Sequence, residues 1–171
     1  MDVAPNLPFG EHQIGENTVF STENEHPYLQ VSDRRGASAS DGWVVTGKMS
    51  KFMNGTTELV GAELNFNAGT AVAANVAAST DGSHGAITGF GQTPSPVGVT
   101  SFDSTDAETT FFSATAGQGL GTWLEVYNPS DITLTVPLEA QEEGTYEATL
   151  TWTISAGPTG SSSASSTTPG A

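Results

Sequence analysis

From Tyr146 to Ser155 apolar and polar residues alternate without exception. Tyr146, Ala148, Leu150, Trp152 and Ile154 hold one parity; Glu147, Thr149, Thr151, Thr153 and Ser155 hold the other. Successive side chains of a strand point to opposite faces, whereas a helix repeats every 3.6 residues. Strict period two over such a stretch therefore specifies a strand with one dry and one wet face. On this reading Trp152 belongs to the core.

Shorter segments repeat the pattern. "PYLQVSD" is read as a strand through Val31, and "ETTFFSA", "GTWLEVY" and "SDITLTVP" as further strands. Weak strands are expected at Phe9–Ile14 and Thr18–Ser21. "GWVVTGKMSKFMNGTTELVGAELNFNAG" reads as a hairpin: Asn54–Gly55 favours a tight reversal, and the return strand is expected over Glu58–Phe66. The Ala-, Gly-, Ser- and Pro-rich stretch 68–108 shows no sustained period and is read as a long irregular loop region with short strands, Ala71–Ala78 offering at most a turn or two of helix. With no strand–helix alternation, the expected fold is all-β, an antiparallel two-sheet β-sandwich. The expected domain is 1–158. Residues 159–171 use only Thr, Gly, Ser, Ala and Pro and read as a flexible tail, a linker or an appended sequence. The opening "MDVAPNLPFG" has neither the basic start nor the apolar stretch of a signal peptide and is read as the start of a mature domain.

Composition narrows function. The net charge is −15 and no cysteine is present, which argues against nucleic-acid binding and excludes disulfides and Cys-based metal sites. No apolar run is long enough to cross a membrane. All four cations, Arg34, Arg35, Lys48 and Lys51, fall within residues 34–51. That window reads either as local charge balancing or as a small docking patch that focuses an anionic partner.

Catalytic patterns are scarce. His12, His26 and His84 are scattered without zinc-ligand spacing, "DGSHG" lacks the first Gly of a serine nucleophile elbow, and the glycine clusters miss the nucleotide-binding patterns. Nineteen acids leave a glycosidase-type carboxylate pair open. The chain is nonetheless read as non-enzymatic and without a cofactor. Asp103, Asp106 and Glu108 in "DSTDAE" are a weak Ca²⁺ candidate whose spacing is not that of an EF-hand, solvated acids being the alternative. Trp43 and Trp123 are each read as core or as a partner contact.

Two stretches carry a resemblance. "PYLQVSDRRGASASDGWVVTGKMSKF" resembles the proximal part of a WxL domain, and "EGTYEATLTWTISAGP" closely resembles its distal motif; "LPFGEHQI" and "ELVGAELNFNAG" are similar to further family segments. The family's Trp-x-Leu stands here as Trp43-Val44-Val45. On this resemblance Trp43, Val45, Tyr146, Leu150, Trp152 and Ile154 are motif positions, expected to be structural. The resemblance implies an extracellular, wall-associated domain of Gram-positive bacteria that attaches non-covalently to the wall, with peptidoglycan as ligand. It also implies an alternative, docking of a membrane-anchored WxL-interacting protein.

Overall fold

A computed structural model describes residues 1–36, 41–76 and 87–157. His84 and the 159–171 tail lie outside them. Fourteen strands are named along the described chain: β1 (Val19–Ser21), β2 (Tyr28–Asp33), β3 (Trp43–Met49), β4 (Met53–Asn54), β5 (Thr57–Glu58), β6 (Glu63–Phe66), β7 (Thr70–Val76), β8 (Ile87–Thr88), β9 (Ser95–Pro96), β10 (Val99–Phe102), β11 (Thr109–Ala114), β12 (Gly121–Val126), β13 (Ile132–Thr135) and β14 (Leu150–Ala156). Two single-turn 3-10 helices, Pro129–Asp131 and Leu138–Ala140, flank β13.

The fold is all-β and its strand pairs are antiparallel. Among the described residues the strands form three four-stranded sheets, β1-β13-β6-β10, β14-β3-β11-β9 and β2-β12-β7-β8, with a β4-β5 ribbon, where two sheets were expected. Short strands and broken registers divide the ladders: β9 has two residues, and β11 shifts register on β3 between Thr110 and Phe112.

The sheets meet around Phe66. Its ring stands edge-on to Phe111 of β11, at 4.9 Å between centroids, and to Trp152 of β14 and Tyr127 beyond β12. Each sheet thus delivers aromatic side chains to one buried cluster, whose aliphatic members include Leu29, Val45, Leu64 and Ile132. β12 is covered on both faces at its centre, consistent with its place between β2 and β7.

Three local expectations are corrected. Residues 70–76, read as loop or weak helix, form β7, which pairs with β12 over five residue pairs. Alanine has little strand preference of its own, so the neighbouring ladder rather than local propensity sets this conformation. The return strand over Glu58–Phe66 is split: β5 closes the Asn54–Gly55 turn, Gly61 turns the chain at φ +75°, and β6 then enters a different sheet. Phe9–Ile14 is not a strand. Gly10 and Gly15 both have positive φ there, and residues 4–14 run as an irregular strap. The strap is held by Pro8, whose carbonyl accepts from Glu23 N–H and the Thr22 hydroxyl.

Candidate functional site: a groove beside the distal strand

The burial of the three tryptophans differs from their sequence reading. Trp43 is 2% exposed and Trp123 is 6% exposed. Their indole N–H groups donate to Gly119 O at 3.0 Å and Leu120 O at 2.8 Å. A partner-contact role for Trp43 and Trp123 is therefore corrected: neither ring presents a face at the surface. Both are core, and Val45 is fully buried as well. Trp152, read as core, is only half-buried, and Ile154 is 38% exposed. Tyr146 and Leu150 are half-buried too. The alternation predicts a strand over its second half, Leu150–Ala156, while residues 146–149 carry only the bridge of Glu147 to Met53; β14 is also an edge strand, so its apolar face is covered from one side only.

The partly open face lines a groove of about 1030 Å³. It runs between the N-terminal strap, which contributes Phe9 and His12, and the distal segment, which contributes Tyr146, Leu150 and Trp152. Lys51, after β3, and Met53, at the start of β4, also line it. The walls are fixed locally. His12 stacks on Phe20 with centroids 4.2 Å apart, and its Nε2 donates to Phe9 O. Gln141 ties the distal segment to the turn that follows the strap: its Oε1 accepts from Gly15 N–H, and its Nε2 donates to Asn17 O. Trp152 is set by glycine. It pairs with Gly47 across the β14–β3 ladder, and its ring and that of Phe111 occupy the space a Gly47 side chain would need.

The four cations do not form one patch. Arg35 grips Asp33 through Nε and Nη2, at 2.9 and 2.7 Å, and also donates to Gly42 O. The Arg35 guanidinium holds the Asp33 carboxyl below the usual carboxylate range, against the opposing effect of burial. Lys48 lies six residues beyond Gly42 along β3, roughly 20 Å away at strand rise. Lys51 pairs with Glu58. The docking-patch reading of Arg34, Arg35, Lys48 and Lys51 as a unit is corrected accordingly: the chain places them at opposite ends of β3.

The Asp103, Asp106 and Glu108 candidate is likewise dispersed. Asp103 accepts from the Thr105 N–H and hydroxyl, Asp106 accepts from Asp103 N–H, and Glu108 accepts from the Thr46 and Thr153 hydroxyls. These carboxylates serve their own loop and the outer face of β3 and β14. Among the described residues no group of three or more His, Asp or Glu side chains is placed to hold a metal ion.

Sequence reading missed Glu125, which is fully buried. Burial pushes its carboxyl up to about 8, with the Tyr127 hydroxyl and Gly69 N–H pulling the other way. Gly69 N–H lies 3.4 Å from Oε1, while Oε2 and the Tyr127 hydroxyl are shut from solvent without a well-formed hydrogen bond. The signal was present: Glu125 shares its parity with Trp123 and Tyr127, a charged residue on an apolar face. The place of Phe9 and His12 at the groove was missed because their segment reads as a weak strand and no local pattern joins it to the distal segment.

A family model described as WxL domain, surface cell wall-binding, matches residues 1–158. No curated protein and no solved structure matches the chain.

Proposed function

The chain belongs to the WxL family of surface cell wall-binding domains, and from that premise we propose that it binds peptidoglycan in the groove beside Trp152. The family is one of wall-binding surface domains rather than of enzymes. The observation that carries the reading is the contrast among the tryptophans: two are sealed in the core, while Trp152, with Tyr146, opens onto a groove large enough for a small-molecule-sized ligand. Aromatic faces suit the C–H faces of sugar rings, and the side chains of Gln13, Lys51 and Glu147 at the same groove offer polar groups for acetamido and peptide functions.

The test is co-sedimentation of the folded domain with peptidoglycan stripped of teichoic acids, at low and physiological salt. Saturable binding that survives salt and is lost in Tyr146→Ala supports the reading. Equal binding by wild type and variant would contradict the groove.

The charge favours a second reading, docking of a membrane-anchored WxL-interacting protein. A body of net charge −15, with Arg35 and Lys51 each neutralised in an ion pair, is repelled by anionic wall polymers and suits a partner with a basic face.

A further inference from the structure

The sheets end in strand edges of unequal quality. β8 and β9 have two residues each, and β1 has three. β10 is four residues long and shifts register on β6. The outer side of β2 is met by the chain's first residues, where Asp2 and Val3 bond to Gln30. β14 differs from all of these. Seven residues, Leu150–Ala156, pair in unbroken register with β3 on one side. Among the described residues nothing pairs with the other side. The strand has no charged residue, no proline and no bulge against β3, the devices by which exposed edges are normally kept from pairing. Its apolar parity is also incompletely covered, with Leu150 and Trp152 half-buried and Ile154 exposed.

We propose that the outer edge of β14 is a docking site for an extended, cationic, β-forming segment of a partner protein. The segment adds as a further antiparallel or parallel strand: its backbone satisfies the outward N–H and C=O groups of β14, and its apolar side chains cover Trp152 and Ile154. Charge selects the occupant. A second copy of this chain would bring another net charge of −15 to the edge. A cationic segment instead meets the acidic body and the Glu108 carboxylate, which lies at Thr153 on the polar face of the strand. The edge shares Trp152 with the groove but recognises by backbone pairing, so the proposal stands whether or not peptidoglycan binds.

The test uses the full chain and a synthetic peptide of four Val-Lys repeats, with two controls: the same peptide methylated on alternate backbone nitrogens, and a Val-Glu repeat. Amide hydrogen exchange followed residue by residue reads the site. The expected result is slowed exchange at alternate residues of 150–156 with the Val-Lys peptide alone. Ser155, exposed on the polar face where the lysines of the added strand would lie, reads the charge: Ser155→Lys should weaken that binding about tenfold or more and Ser155→Glu should strengthen it, as like and unlike charge at an edge require. Binding of the methylated peptide at the same strength would show attraction to the acidic surface without strand addition, and would overturn the proposal. Equal weakening by both Ser155 variants would overturn the cationic partner. Edge amides already slow in the free monomer would assign the edge to the chain's own residues, and protection that rises with protein concentration would assign it to a second copy; either overturns it.

Discussion

Trp152 stands opposite Gly47 across the β3–β14 ladder and takes the room that a side chain at Gly47 would fill. A Cβ built there would lie 3.2 Å from Trp152 Cζ3 and 2.7 Å from Phe111 Cε2. The two rings themselves meet edge-on, with centroids 4.8 Å apart. A glycine on the core parity of β3 thus holds the one tryptophan that reaches the groove.

Gly47→Ala should therefore push both rings. The expected cost is about 1–3 kcal/mol of stability, as for overpacked cores, read as a lower urea midpoint at unchanged slope. The same variant should weaken peptidoglycan binding while folded, because the displaced indole narrows the groove.

Trp43→Ala and Trp152→Ala should separate stability from binding. Trp43 is buried and hydrogen-bonded to Gly119 O, so its loss should cost ~3–5 kcal/mol and threaten a fold whose total stability is on the order of 5–15 kcal/mol. Trp152 is half-buried and should cost less. Urea denaturation of the two variants, beside circular dichroism, checks the order.

Glu125 should make stability fall as pH rises. Its folded pKa, pushed up to about 8 by burial, lies above the ordinary glutamate value. Between the two values the unfolded chain has released the proton while the folded chain keeps it. The contribution is therefore fully present below the unfolded value and lost as pH climbs through about 8. Across that window the slope is at most ~1.4 kcal/mol per pH unit. Glu125→Gln, uncharged at every pH, should gain on wild type steadily from acid to mildly alkaline pH. Parallel urea midpoints for the two proteins across the window would contradict the assignment.

Gly119→Ala should destabilise from the opposite side of the core. Gly119 has φ +63°, and an added Cβ would come 2.7 Å from Trp43 Cζ2. Backbone strain of about 1–2 kcal/mol adds to the ring contact. A lower thermal midpoint with unchanged β signal is expected.

The strands with clean alternation were legible in the sequence. β2, β13 and β14 follow their apolar parity, and β12 its β-rich composition. Depth of burial was not legible, because alternation says which face turns inward and not whether anything covers it. Trp152, expected in the core, is only partly covered and Trp43, read as core or partner contact, is sealed in it for that reason: β14 lies at an edge and β3 between two neighbours. β7 was missed because Ala71, Ala73 and Ala74 carry no strand preference without β12 beside them. The charged window 34–51 looked compact in sequence, yet β3 runs through it and carries Lys48 away from Arg35. The groove itself joins residues 4–14 to 141–152, a pairing that no local pattern announces.

The groove between the strap and the distal strand is the proposed seat of the wall ligand. Titrating the folded chain with soluble peptidoglycan fragments, while following backbone amide and indole resonances, tests it most directly. The predicted result is saturable shifts grouped at Phe9, His12, Tyr146, Leu150 and the Trp152 indole, with the Trp43 and Trp123 indoles unmoved. Saturable shifts elsewhere on the surface, or a folded domain whose groove resonances do not respond, would contradict it.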